Sequence, residues 1–407
     1  MDTYTIRFRA LLKMTGETPV ENGQLVVERG RIKNIDTNQR GPVEGELVDL
    51  SGSLLLPGFV NAHCHLALSA LKGRIPRRER FTDWVRSLID ENEKVSWENR
   101  VITLHAQAKE MARSGVTALA DHLSQAELIT EYTRLPFRQT LFLEVLGFHP
   151  SLVDPVVERL EPVLKQYPSN NGSVRWGLAP HAPYSVSPEL FGELKRLASH
   201  YNCPLSCHVA ELPEEVKLLK DGVGDIKDLL VERGMFDDSW TPPDMSPVRY
   251  LDSLGVLDSL VAVHLNLVEG DLDLLASKNV KAVFCPQSTR WFGRGRYMPV
   301  RKFLDRGVVV GLGTDSLASN ESLNFLGELR VAEEMLADVS RQELLYMATR
   351  GGAEVLGMDC GAIEAGRPAD LIGFNVEGGE CVDWVDVLFD PERTGADFIM
   401  AGGKRVF

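Results

Sequence analysis

Between residues 55 and 313 the chain repeats one pattern eight times: a short apolar run that ends in polar residues at a turn. The runs fall at residues 55–62, 116–121, 140–146, 174–179, 204–208, 260–264, 281–285 and 308–313. Stretches of helical period lie between them, among them 100–114, 188–199, 226–233 and 300–306. Short, almost wholly apolar runs alternating with amphipathic helices suit parallel strands buried on both faces. Eight such repeats predict an α/β fold, a (β/α)8 TIM barrel. In that architecture the working side chains come from the C-terminal ends of the strands and the loops that follow.

The flanks read differently. Residues 1–56 contain short alternating strands with Gly and Asn at the turns, and residues 361–407 resemble them, with candidate strands at 369–374, 384–389 and 397–403. Both ends are expected to build one small β-sandwich domain, giving the divisions 1–56, 57–360 and 361–407. Two long connections, 66–99 and 234–254, interrupt the barrel pattern. Connections of that length in a compact fold read as functional lids or as disordered segments. The basic run Arg74-Ile75-Pro76-Arg77-Arg78 in the first reads as solvated surface or as an approach to an anionic substrate group, and the apolar stretch 331–336 as core helix.

Each strand end carries a polar signature. Strand one ends in His63-Cys64-His65, strand two in Asp121-His122 and strand three in Glu144. Strand four runs into Pro180-His181-Ala182-Pro183, strand five into His208-Val209-Ala210-Glu211 and strand six into His264. Strand seven runs into Pro286-Gln287-Ser288, and strand eight into Gly313-Thr314-Asp315-Ser316. Five of the nine histidines thus sit at the ends of strands one, four, five and six. His63 and His65, two apart on a strand, point to one side while Cys64 points to the other.

His63, His65, His208 and Asp315 form a three-imidazole, one-carboxylate set for one divalent metal, with an open position for water. Zinc is the default for these donors, with Fe2+ or Mn2+ as alternatives. Such an ion lowers the pKa of a bound water towards ~7. Glu211, three residues beyond His208, suits proton shuttling. His264 is placed to orient the attacking water, and Asp315 both to bind metal and to take its proton. His181 suits substrate binding better than metal binding. His122, Glu144 and Ser288 divide evenly between structural roles and substrate contacts. His105 and His200, on helical stretches, read as structural, and His149 is left unassigned.

The net charge of −14 argues against a nucleic-acid partner, because phosphate would be repelled. No apolar run approaches the ~18 residues that span a bilayer, and no leader precedes residue 7, so no membrane association is expected. The six cysteines show neither zinc-ribbon spacing nor a disulfide framework, which suits a reducing cytoplasm. The partner expected is a small-molecule substrate, and a homo-oligomer is compatible with the composition.

Taken together, these residues resemble the amidohydrolase superfamily in its cytosine- and adenosine-deaminase-like branch. Pro57-Gly58-Phe59-Val60-Asn61-Ala62-His63-Cys64-His65 resembles the strand-one motif of that family, and His208-Val209-Ala210-Glu211, His264 and Gly313-Thr314-Asp315-Ser316 its later motifs, in order. Ala369-Asp370-Leu371 is similar to the return into the sandwich. Binuclear members carry a carbamylated lysine on a middle strand; here strands three and four offer Glu144 and His181, which implies a single metal.

Within the branch, the stretch from Leu178 to Tyr184 resembles the S-adenosylhomocysteine and methylthioadenosine deaminases. Residues 68–73, 246–251 and 313–320 are more similar still to aminodeoxyfutalosine deaminases. The resemblance implies a hydrolytic deaminase of an adenine nucleoside, by preference 6-amino-6-deoxyfutalosine on the futalosine route to menaquinone. It also implies substrate contacts from His181, Glu144 and Ser288, and a ribose-holding acid in the loop after strand one, where Glu93 competes with Glu91. Alternatives are deamination of S-adenosylhomocysteine, methylthioadenosine or adenosine, cyclic amide hydrolysis, triazine dechlorination, or a non-catalytic scaffold.

Overall fold

A computed structural model describes residues 3–167, 174–293, 295–376 and 383–406. Cys381 lies outside the described residues. The chain begins with β1 (Thr3–Leu11), β2 (Val20–Glu28), β3 (Arg31–Asp36) and β4 (Glu46–Pro57). They join β13 (Leu371–Asn375), β14 (Phe398–Ala401) and β15 (Lys404–Arg405) in one seven-stranded sheet, in the order β15-β14-β13-β4-β1-β2-β3. β1 is antiparallel to β2 and parallel to β4, and β13 is antiparallel to β4. The sheet curls until β3 meets the approach to β13, where the Ile32 N–H donates to the Arg367 carbonyl at 2.9 Å. Inward-facing Ile6, Phe8, Leu25, Val27, Leu55 and Leu371 fill it.

The sequence-predicted strand at 384–389 is a short 3-10 turn, Asp386–Leu388. The Asp383 carboxylate accepts the Val385 N–H at 3.0 Å, and this side-chain turn outcompetes a ladder for the backbone. The strand read at 55–62 is two strands. β4 ends at Pro57 and β5 (Phe59–Cys64) begins after Gly58. A Cβ at Gly58 would stand 2.0 Å from Thr117 Oγ1, so only glycine lets the chain cross from sheet to barrel here.

The barrel continues with β6 (Val116–Leu123), β7 (Arg138–Val145), β8 (Val174–Pro180), β9 (Ser206–Val209), β10 (Val261–His264), β11 (Lys281–Phe284) and β12 (Val310–Leu312). β5 to β8 and β9 to β12 form two parallel ladders. Backbone bonds close the ring: Leu178 N–H to Pro204 O at 3.0 Å and His208 N–H to His181 O at 2.9 Å on one side, Thr314 N–H to His63 O at 2.9 Å on the other. Alternate residues Val60, Ala62, Ala118, Ala120, Phe142 and Val263 fill the interior. Their neighbours, such as Leu119, Leu141 and Leu143, pack outward against the helices.

The first long connection, and a helix just before the second, cross the barrel mouth. The first holds the helix Phe81–Glu93, whose apolar stripe Phe81, Trp84, Val85, Leu88 and Ile89 follows helical spacing and faces inward. A second helix, Asp225–Glu232, presents Ile226, Leu229 and Leu230 to the same space. The Arg86 guanidinium joins the two helices by donating to Glu232 Oε2 from Nε at 2.9 Å and Nη2 at 2.7 Å. Among the described residues, no helix is long and apolar enough to cross a membrane.

Candidate metal centre and its cavity

Val60 and Ala62 face the barrel interior, and a register shift between Asn61 and Cys64 resets the alternation so that His63 and His65 also turn inward and Cys64 turns out, its Sγ 3.3 Å from Asp121 Oδ2. Asp121 faces the same way. It accepts the Leu66 N–H at 2.7 Å and the Tyr132 hydroxyl at 2.8 Å, which fixes the turn just after His65. Burial pushes its carboxyl up to about 7. Asp121 is therefore a bracket for strand one, and its neighbour His122 is the inward-facing residue.

At the mouth, His63 Nε2 lies 3.3 Å from His208 Nε2, and Asp315 Oδ1 lies 3.7 Å from both His63 Nε2 and His65 Nε2. Four ligands at about 2.0–2.2 Å in a tetrahedron stand roughly 3.3–3.6 Å apart, so these spacings suit one divalent ion. His208 Nδ1 donates to the His181 carbonyl at 2.8 Å, which leaves the lone pair on Nε2, the nitrogen facing the cluster. Burial above all, then repulsion from His122, holds His63 well below the usual histidine range. Burial likewise brings His65 to about 4 and His181 to about 3. Burial opposes ionisation of Asp315, yet the imidazoles of His63, His264 and His65 hold its carboxyl well below the usual range. Neutral imidazoles around a carboxylate are the protonation state a metal requires. The donor set fits the group.

Backbone strain gathers at the same place. Asp315 has φ 55° and His264 φ 76°, left-handed values uncommon away from glycine. Behind Asp315, Ser288 Oγ donates to Oδ2 at 2.5 Å and Ser319 Oγ at 3.0 Å. Asn320 Nδ2 reaches the Thr314 carbonyl at 2.9 Å and Glu328 Oε1 at 3.0 Å, bracing the turn. On the other side, Glu211 Oε2 lies 3.9 Å from His264 Nε2.

A cavity of about 340 Å³ opens above this floor, lined there by His65, Glu144, His181, His208, Glu211, His264 and Asp315. Its walls are the apolar stripes of the two crossing helices with Tyr184 and Phe292. Glu144 is buried, with Oε1 3.6 Å from His122 Nδ1 and Oε2 3.9 Å from His65 Nδ1. His181 lines the cavity with Nδ1 2.7 Å from Ser185 Oγ.

Two sequence-predicted substrate contacts are placed otherwise. Ser288 donates its hydroxyl to Asp315 Oδ2 and lines a small recess beside the main cavity together with Glu211 and His264. Glu93 is exposed at the end of its helix, turned away from the cavity, and Asn92 is the residue that lines it. Buried Arg100 holds Asn92 there, donating to Oδ1 at 2.8 Å and to the carbonyl at 3.1 Å. Glu91 pairs with Lys94 at 2.7 Å.

His122, left open by the sequence, joins the histidine cluster. One ring nitrogen from each of His63, His65, His122 and His208 lies within 4.8 Å of the others, and His122 Nε2 is 2.8 Å from Ser206 Oγ. His105 pairs with Glu131 at 2.8 Å and His149 caps a short turn, both as local structure. Trp84, Phe292 and Glu215 carried no strand-end signal; only helical phase hints at the first.

Comparison with known proteins gives a consistent picture. Residues 54–394 match the amidohydrolase family. A 5-methylthioadenosine/S-adenosylhomocysteine deaminase of Pyrococcus furiosus is 31% identical over 384 residues, 88% of this chain and 84% of the relative. A zinc complex of atrazine chlorohydrolase from Arthrobacter aurescens TC1 superposes with TM-score 0.84 at 24% identity, covering 99% of this chain and 95% of that one. Aminofutalosine deaminase of Helicobacter pylori, in complex with methylthio-coformycin, does so with TM-score 0.85 at 23% identity over 100% of both chains. Extent of the match and whole-length similarity agree: this chain belongs to the amidohydrolase family.

Proposed function

We propose that the protein is a metal-dependent hydrolytic deaminase of adenine nucleosides, with 6-amino-6-deoxyfutalosine as preferred substrate and a place on the futalosine route to menaquinone. The observation that carries this reading is the convergence of His63, His65, His208 and Asp315, with His63 Nε2 3.3 Å from His208 Nε2 and Asp315 Oδ1 3.7 Å from His63 and His65, beneath a mainly apolar cavity whose floor also holds Glu211 and His264. These four residues would hold the ion, and zinc is the metal proposed. A bound divalent ion supplies Lewis acidity, lowering the pKa of water towards ~7.

The side chains then divide the work. Asp315 takes the proton of the attacking water, and His264 orients that water by a hydrogen bond. Glu211 delivers a proton to the ring nitrogen beside C6. Oxygen bonds to C6, the exocyclic C–N bond breaks, and ammonia leaves after a second proton transfer through Glu211. His181 and Glu144 hold the base. The apolar walls take the sugar and its 5′ substituent and keep bulk water out.

The Pyrococcus relative favours a second reading within the same chemistry, a 5′-methylthioadenosine or S-adenosylhomocysteine substrate. The chlorohydrolase neighbour keeps triazines in the panel. One screen separates these. Metal-replete protein is given each nucleoside and atrazine, with ammonia, chloride and the adenine-to-hypoxanthine ultraviolet shift followed together. Ammonia release fastest from aminodeoxyfutalosine is the expected result. Turnover of none of the nucleosides would overturn the proposal.

A further inference from the structure

Among the described residues lining the cavity, Arg233 alone carries a permanent positive charge. It caps the helix Asp225–Glu232 and continues its inward stripe, seven residues after Ile226. Glu232 beside it is taken by Arg86, at 2.7 and 2.9 Å. No carboxylate of the described residues stands within ion-pair distance of the Arg233 guanidinium. The carboxylates that line the cavity, Glu144, Glu211 and Asp315, are placed with the histidines at its floor. Arg233 is exposed, at its rim. The wall is apolar, aliphatic on Arg233's own helix at Ile226, Leu229 and Leu230, with an aromatic group where Trp84 stacks on Phe81 at 5.5 Å and meets Phe292 edge-on at 5.1 Å.

We infer that Arg233 is a specificity-determining residue that pairs with a carboxylate at the far end of the substrate's 5′ arm. The inference rests on the nucleoside-deaminase reading above and narrows it. With the base on the floor, the arm passes an apolar wall and ends at a guanidinium. The substrate class that matches is an adenine nucleoside whose 5′ substituent is apolar and ends in a carboxylate. The arm would gain apolar contact from that wall, and the carboxylate a two-pronged, charge-assisted pair with Arg233. Lysine offers a point charge without the fork, so it would replace arginine only in part.

The test compares aminodeoxyfutalosine with its primary carboxamide, which differ only in that charge. Binding is measured by calorimetry on metal-loaded Glu211→Gln protein, so that turnover does not intervene. The carboxylate is expected to bind about tenfold more tightly than the carboxamide, a preference of about 1.4 kcal/mol. Adding Arg233→Met is expected to shrink the preference to within about twofold, and Arg233→Lys to leave an intermediate value. If the Glu211→Gln chain does not fold, the ratio of KM values in the wild-type background gives the same comparison. No preference in the Arg233-containing protein, or one unchanged by Arg233→Met, overturns the assignment. Ammonia release by the wild type reports on the deaminase reading separately.

Discussion

Glu215 grips the backbone of Glu211. Its two carboxyl oxygens accept the Ala210 N–H at 3.0 Å and the Glu211 N–H at 2.9 Å, across a turn in which Ala210 has φ 52°. One fully buried acid thereby sets the direction from which the proposed proton carrier leaves the chain. Burial pushes the Glu215 carboxyl up to about 8, against the pull of those N–H donors. A glutamine there keeps the volume but offers one acceptor oxygen for two donors. Glu215→Gln is expected to lower kcat about tenfold while metal stays stoichiometric, because Glu211 loses its aim and the ligands do not. Steady-state kinetics with metal analysis on the same sample decides; loss of metal in parallel with kcat would contradict it.

Ser288 stands behind Asp315 as Glu215 stands behind Glu211. Its 2.5 Å hydrogen bond and that of Ser319 hold Oδ2, leaving Oδ1 towards the histidines. Ser288→Ala is expected to weaken metal binding about 10–100-fold, the usual cost of losing a group that orients a ligand. Titration against a competing chelator measures it. Unchanged affinity would return Ser288 to the substrate role read from the sequence.

Trp84 ties the first crossing helix to the loop beyond Asp315, its Nε1–H donating to the Ala318 carbonyl at 3.1 Å. Trp84→Phe retains most of the apolar wall and removes that bond, worth about 0.5–1.5 kcal/mol. KM is expected to rise several-fold, with kcat changed less, since the helix covers the cavity without reaching the reacting atoms. A fall in kcat at constant KM would place Trp84 in the chemistry instead.

Acid should act through the buried imidazoles. His65 titrates near about 4 and His181 near about 3 when folded, against about 6.5 in an unfolded chain. Between those values the unfolded chain binds the extra proton. Their share of stability is therefore complete above pH 6.5 and lost as pH falls, by at most about 1.4 kcal/mol per pH unit for each group. Depressed values also keep the donors free of protons that compete with metal. The loaded protein is expected to hold its metal at about pH 5.5 and release it towards about pH 4. Metal content after dialysis across this range is the measurement, and a release midpoint near 6.5 would contradict it.

How far the sequence anticipated this arrangement depends on the residue. All eight barrel strands were visible because each is a short apolar run closed by a turn, and alternation separates His63 and His65 from Cys64, but the register shift after Asn61 that turns the histidines to the same side as Val60 and Ala62 leaves no sequence signature. Ser288 shows where this stops: a hydroxyl at a strand end looks the same whether it meets a ligand or a substrate. Glu93 failed on phase. One residue along a helix turns the side chain by about 100°, so Asn92 shares the face of Trp84 and Leu88 while Glu93 looks outward. Arg233 was hidden for a related reason, because an inward stripe at 226, 229 and 230 reads the same over a packed core as over a cavity.

The crossing at Gly58 makes β4 the direct lead-in to His63. β13 pairs along the final residues of β4, from Asn375 opposite Ser53 to Leu371 opposite Pro57. A growing polypeptide thus carries its first two histidines more than 300 residues before the strand that pairs with their lead-in has been made. Ribosome-bound intermediates would hold an unfinished ion trap, so assembly of this centre belongs to the last stage of synthesis.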